Sequence, residues 1–139
     1  MADKPVLTVN VVTPDGSVYE NTTTLAICKT TVGEVGIMPN HIPMLASLAI
    51  DEIKIKVTDD KFDEVAVSGG FLEFSDNVLS IVASSAERKE DIDTVRAKRA
   101  LERAEKRIEQ AKQTHNVNDL KRAEVSLRRA MNRLNVSKH

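Results

Sequence analysis

The rhythm of hydrophobic and polar residues changes once along the chain. Up to about residue 86 it is the rhythm of strands. Leu7, Val9 and Val11 alternate with Thr8, Asn10 and Val12, the period of a strand with one face buried. Ile53, Ile55 and Val57 alternate with Lys54, Lys56 and Thr58 in the same way. Pro14-Asp15-Gly16 predicts a turn, because Pro presets φ and Gly accepts a positive one. Glu64 to Val67 leads into Gly69-Gly70. Phe71 to Phe74 and Val78 to Val82 then flank Ser75-Asp76-Asn77, which predicts a hairpin. Many short strands separated by turns point to a β-sandwich or barrel.

Beyond that point the period becomes helical. Val95, Ala97, Ala100, Leu101, Ala104, Ile108 and Ala111 form one apolar stripe. Asp91 and Asp93 sit where acids favour a helix start, so the spacing predicts a helix over about 91–113. Thr114 to Asn118 breaks the pattern, with Asn118 as its expected cap. Leu120, Ala123, Leu127, Ala130, Met131 and Leu134 form a second stripe over about 118–135. Two helices joined by so short a break form an antiparallel hairpin. Its seam is rich in alanine, which permits close approach but buries little apolar area.

Charge follows the same division. Residues 1–86 carry five Lys, no Arg and twelve acids, a net −7, whereas residues 87–139 carry six Lys, nine Arg and nine acids, a net +6. Two units, 1–86 and 87–139, with different partners are therefore expected. Composition removes several function classes. No apolar run approaches the ~20 residues of a membrane span, and the N-terminus lacks the apolar core of a secretory signal. A single cysteine and three scattered histidines (His41, His115, His139) leave no disulfide and no zinc-ligand spacing. There is no P-loop and no nucleophile elbow, so neither a catalytic nor a metal centre is expected. With no Trp and few other aromatics, a nucleic-acid stacking platform is poorly supplied.

Two stretches carry chemistry. Gly33-Glu34-Val35-Gly36-Ile37-Met38-Pro39-Asn40-His41-Ile42-Pro43 is a Gly- and Pro-rich segment that presents an acid and a histidine. It reads as a sandwich corner or as a contact loop, with Glu34 and His41 as contact residues rather than catalysts. On the first helix Arg96 and Arg103 are seven residues apart and share a face; Arg122, Arg129 and Arg133 form a row on the second. Guanidinium forks suit phosphate oxygens. The same arginines also read as a solvated face held by intrahelical pairs such as Glu102 with Lys106. Cys28 reads as a buried strand residue.

Taken in order, these stretches resemble the epsilon subunit of bacterial F-type ATP synthases. The resemblance is carried by Val12-Thr13-Pro14-Asp15-Gly16, the segment Gly33 to Pro43, Ser68-Gly69-Gly70-Phe71-Leu72-Glu73, Ala86-Glu87-Arg88, Ile92-Asp93-Thr94-Val95-Arg96-Ala97 and Arg129-Ala130-Met131-Asn132-Arg133-Leu134. It implies a ten-stranded β-sandwich followed by a two-helix hairpin. It implies a non-catalytic rotor subunit, peripheral to the cell membrane on its cytoplasmic side, without lipid insertion. The implied partners are the gamma subunit and the c-ring, with Glu34 and His41 facing the ring. In the inhibited state the hairpin would meet the beta and alpha subunits and block hydrolysis. Arg122, Arg128, Arg129 and Arg133 would then face an acidic segment of beta. No cofactor is implied as required. ATP is implied as a regulatory ligand, held by Glu87, Ile92, Asp93, Arg96, Ala97, Arg103, Arg129 and Arg133. A stand-alone ATP sensor or basic-helix binding module is the alternative reading.

Overall fold

Strand formation begins where the period-2 pattern begins. The computed structural model describes residues 4–139. Its strands are β1 (Leu7–Thr13), β2 (Gly16–Thr23), β3 (Ala26–Thr30), β4 (Gly33–Ile37), β5 (Met44–Thr58), β6 (Lys61–Ser75), β7 (Val78–Ala83) and β8 (Ala86–Arg88). A 3-10 turn over Lys89–Asp91 leads to α1 (Thr94–Gln113) and α2 (Val117–Ser137). The strands run in the order β2-β1-β7-β6-β5-β3-β4, with β8 pairing β6. Among the described residues, only β1 and β7 pair in parallel. Inward residues of the sandwich, including Leu7, Val9, Val11, Cys28, Ile53, Ile55, Val65, Leu72, Phe74, Leu79 and Ile81, form one buried cluster.

Eight strands are present where ten were expected. The two longest, β5 and β6, are each 15 residues long. Along β6, Val65–Val67 pair with β8, whereas Gly70–Ser75 pair with β7. One continuous strand thus serves two neighbours. The Gly69-Gly70 pair, which reads in the sequence as the end of a strand, is the bend inside β6. Gly70 has φ +126°, and a Cβ there would lie 2.1 Å from the carbonyl oxygen of Val82. Only glycine lets the two backbones approach this closely.

The chain divides into two compact units, residues 1–89 and 90–139. This boundary falls three residues beyond the expected 86/87, because Ala86–Arg88 pairs with β6 instead of leaving the sheet. In the helical unit the seam follows a seven-residue spacing, with Ala97, Ala104 and Ala111 buried on α1 and Ala123 and Ala130 on α2. Val95 and Met131, expected in the stripe, are 57% and 48% exposed. Val95 lies two residues before Ala97, about 200° around the helix and so on its opposite face, whereas Met131 sits at the margin of the α2 stripe. Asn132 and Val136 are buried instead. The cap of α2 is Asn116, whose Oδ1 accepts from the Asp119 amide at 3.1 Å, so Asn118 lies inside the helix. His115 before it takes φ 54°. No helix among the described residues is long and apolar enough to cross a membrane.

Cys28 is fully buried in β3, and burial pushes its thiol pKa up to about 12. An unfolded thiol ionises near ~8.5. Its neutral form therefore favours the folded state: this contribution is complete below the unfolded value and is lost as pH rises towards the folded one. Between these values the loss approaches about 1.4 kcal/mol per pH unit. Urea midpoints of wild type and Cys28→Ala, followed from neutral to strongly alkaline pH, should show a shallower fall in the variant. Parallel curves would contradict the linkage.

Candidate functional site

The Ile92-Asp93-Thr94-Val95-Arg96-Ala97 stretch is built around a helix start. Asp93 caps α1: its Oδ1 accepts from the Arg96 amide at 3.1 Å, and its carbonyl accepts from the Ala97 amide at 2.9 Å. A carboxylate at this position satisfies an otherwise unpaired donor and complements the helix dipole. Ile92 and Ala97 are buried, whereas Arg96 and Arg103 project from α1 as exposed residues. On α2, Arg122, Arg128 and Arg129 are exposed and Arg133 is half-buried. Glu87 is half-buried on β8 and belongs to the sandwich unit. The expected nucleotide residues other than Glu87 thus share the helical unit.

The intrahelical pairing that would make these arginines a solvated face is not formed. Among the described residues, Arg96, Arg103, Arg107, Arg122, Arg128 and Arg129 have no carboxylate within 4.0 Å, and Glu102 does not pair with Lys106. The helical unit therefore carries several uncompensated guanidinium groups. Like charges on one small surface repel, and an anionic ligand or an acidic partner would relieve that repulsion.

Glu34 and His41 stand in different surroundings. Glu34 lies on β4 opposite Lys29 of β3, so it belongs to a strand rather than to a corner. With Ile27, Lys29, Glu52 and Lys54 it lines a shallow hollow of about 70 Å³. Lys29 approaches Asp51 at 3.4 Å and Glu52 at 3.6 Å, and Lys54 approaches Glu52 at 3.6 Å. Burial opposes the charge on Lys29, but Asp51, Glu52 and Glu34 outweigh it and hold its pKa above the ordinary value. Glu34 is therefore the exposed end of a charge network whose other members the sequence reading missed. The alternation Glu52, Lys54, Lys56 along one strand face was its signal.

His41 lies in the connection between β4 and β5. Its Nδ1 is 2.7 Å from the carbonyl oxygen of Ile42, which makes Nδ1 the donor. The ring meets Phe74 edge-on at 5.8 Å. Asn40 and Asn77 fasten this connection: the Asn40 amide donates to Asn77 Oδ1 at 2.6 Å, and Asn77 Nδ2 donates to Asn40 Oδ1 at 3.1 Å. Both asparagines adopt positive φ, 67° and 61°, a region that Asn tolerates better than most residues. Their place beside turn residues was the legible signal. Met38, Ile42 and Leu45 near His41 are 58%, 74% and 75% exposed, an apolar surround suited to a partner's surface.

Comparison with known proteins follows the same two units. Residues 6–89 match the family model for the ATP synthase delta/epsilon chain beta-sandwich domain, and residues 90–138 match that for its long alpha-helix domain. An ATP synthase epsilon chain of Ligilactobacillus salivarius is 74% identical over 139 residues, covering all of both chains. Those of Pediococcus pentosaceus and Levilactobacillus brevis are 52% and 56% identical over 140 residues, again covering all of both chains. A chain in the solved Euglena gracilis mitochondrial ATP synthase, described as OSCP/F1/c-ring in rotational state 1, superposes with TM-score 0.78 at 21% identity, covering 100% of this chain and 85% of that one. A chain of the Tetrahymena thermophila mitochondrial ATP synthase central stalk and c-ring gives TM-score 0.51 at 17% identity, covering 66% and 72%. At these identities the solved structures share the fold. The full-length match to closely related chains and the two family models agree: the chain belongs to the ATP synthase epsilon-chain family.

Proposed function

We propose that the chain is the non-catalytic rotor subunit that joins the c-ring to the gamma subunit, and that its helical hairpin restrains ATP hydrolysis. The observation that carries this reading is the 74% identity, over the whole of both chains, to an ATP synthase epsilon chain. The sandwich supplies the fixed contact surface. Glu34, opposite Lys29 in the sheet, and His41, beside the Asn40–Asn77 fastening, would present polar groups to the loops of the ring. A subunit in this role works at the membrane surface, on the cytoplasmic side, through protein contacts alone. The exposed Arg122, Arg128 and Arg129, with Arg133, offer the basic surface that an acidic segment of the beta subunit would meet, with alpha alongside.

ATP acts in this scheme as a ligand and not as a substrate. Arg96, Arg103, Arg129 and Arg133 would hold phosphate oxygens through charge-assisted bonds. Ile92, Asp93, Ala97 and Glu87 would surround the base and sugar. Asp93 spends one oxygen on the Arg96 amide, so its second oxygen is the acceptor left for the adenine amino group. Binding that favours the closed hairpin would withdraw the inhibitory form by mass action.

Calorimetric titration of the full-length chain with ATP tests the ligand role. Arg96→Ala should weaken binding about ten- to a hundredfold, the worth of a charged hydrogen bond. Equal affinity in the variant, or no heat at millimolar ATP, would leave these arginines as partner-facing charges. The coupling role has its own test. Glu34→Ala with His41→Ala should weaken assembly with the c-ring while the sandwich stays folded. Fully coupled ATP synthesis in that double variant would count against it.

A further inference from the structure

Near the turn of the hairpin the two helices line a groove of about 460 Å³. Arg107, Gln110, Ala111 and Thr114 of α1 and Asp119, Arg122, Ala123 and Ser126 of α2 line it. Ala111 and Ala123, both buried, form its floor where the alanine seam brings the helices together. Its walls are polar. Arg107 and Arg122 come from opposite helices, and neither has a carboxylate within 4.0 Å among the described residues, Asp119 included. Two guanidinium groups on one small groove, with a single acid, leave a positive site.

None of the residues expected to hold the nucleotide lines this groove. Arg96 and Arg107 are eleven residues apart on α1, roughly 16 Å along the axis at ~1.5 Å per residue. The groove also lacks the aromatic or large aliphatic surface that a nucleobase would need.

We propose that this groove binds inorganic phosphate, and that the bound anion bridges α1 to α2. A tetrahedral oxyanion presents an edge to each guanidinium fork at once. The Gln110 amide and the Ser126 hydroxyl are further donors. Thr114 is not one of them, because its hydroxyl already donates to the Gln110 carbonyl at 3.0 Å. Asp119 opposes the anion and keeps the affinity modest. Its amide is committed to Asn116 Oδ1 and its carboxylate holds neither arginine, so its charge is removable without undoing a pairing in the groove. A phosphate across the seam would hold the hairpin closed in addition to any nucleotide. It would make the hairpin responsive to the anion that ATP synthesis consumes, a consequence that rests on the rotor reading, whereas the binding itself does not.

Titration of the full-length chain with inorganic phosphate at constant ionic strength, free of nucleotide, tests the site by calorimetry and by phosphorus NMR line width. Saturable binding in the millimolar range is expected. Arg107→Gln and Arg122→Gln should each weaken it about tenfold or more. Asp119→Asn should tighten it severalfold, and Arg96→Ala should leave it within about twofold. Sulfate should compete where chloride does not. Absence of saturable binding, unchanged affinity in both arginine variants, loss of binding in Arg96→Ala, or equal displacement by chloride would each overturn the proposal. The last two would reassign the anion to the nucleotide residues or to diffuse counterion attraction.

Discussion

Gly70→Ala should lower the stability of the sandwich by roughly 3–5 kcal/mol, the combined cost of a disfavoured backbone and an overpacked contact. The added Cβ would lie 2.1 Å from the Val82 carbonyl oxygen and 2.8 Å from the Ala83 Cα. Both are backbone atoms of β7, so no side chain can swing aside. The residue also holds φ +126°, where an L side chain is strained whatever the space. Gly16 separates the two causes. Its φ is nearly the same, +123°, but nothing lies within 4 Å of its Cβ position. Gly16→Ala should therefore show the strain alone, about 1–3 kcal/mol. Urea unfolding of the two variants measures the difference. Equal losses would mean that β7 yields to the new methyl group, and that the bend in β6 is not fixed by this contact. Against a total of about 5–15 kcal/mol for a domain, a loss of the size expected at Gly70 threatens folding itself.

That position also marks the limit of what periodicity reveals. Alternation located β1, the middle of β5 and the β6–β7 hairpin, because each buries one face and exposes the other. It could not show that β5 and β6 run on through 15 residues. A strand that changes neighbours partway changes which face is covered, and the alternation lapses at the bend. The glycine pair was visible, but a turn and a bend demand the same residue. On the helices the reverse holds. The seven-residue spacing of Ala97, Ala104 and Ala111 is plain in the sequence, yet how far the burial spreads around them depends on side-chain size across the seam. Met131 falls outside it for that reason, and Val95 because it is half a turn out of phase with the alanines.

The candidate sites were legible in proportion to how local they are. Acids beside an apolar stripe announced the start of α1, but Asp93 is its cap and the helix begins at Thr94, three residues later than expected. The Lys29–Glu52–Lys54 pairing beside Glu34 joins separate strands, and the Asn40–Asn77 fastening beside His41 joins two connections far apart in sequence. The alternation Glu52, Lys54, Lys56 showed one side of the first, but no spacing rule says which residues stand opposite. The groove at the hairpin turn is a third case. Arg122 belongs to a row visible in the sequence and Arg107 follows Arg103 by one helical turn, but that they line one groove depends on how the two helices pack. Arginine rows announce that an anion or an acidic surface is wanted; only the packing says where.

Ending the chain after Lys89 should give the other large effect. The truncated chain should fold, bind gamma and support assembly, while inhibition of ATP hydrolysis disappears. The sandwich core supplies the first half of that expectation: its buried cluster draws every member from Leu7 to Ala83. β8 must be kept, because Ala86–Arg88 pairs with Val65–Val67. A cut at residue 86 would strip most of a paired strand and confuse loss of regulation with loss of stability. The second half rests on the hairpin. Its seam is alanine, and burying a few methyl groups at ~25 cal/mol per Å² contributes far less than a leucine seam would. Such a hairpin can open at small cost, whereas uncompensated arginines gain from meeting an acidic surface. Hydrolysis by complexes carrying the truncated chain should rise about fivefold or more over complexes with the full chain, a usual size for coupling between sites. Thermal melts should keep the sandwich transition. If the truncated chain still inhibited fully, the restraint would have to lie in the sandwich, and the unpaired arginines of α1 and α2 would be left with ligand binding as their only role.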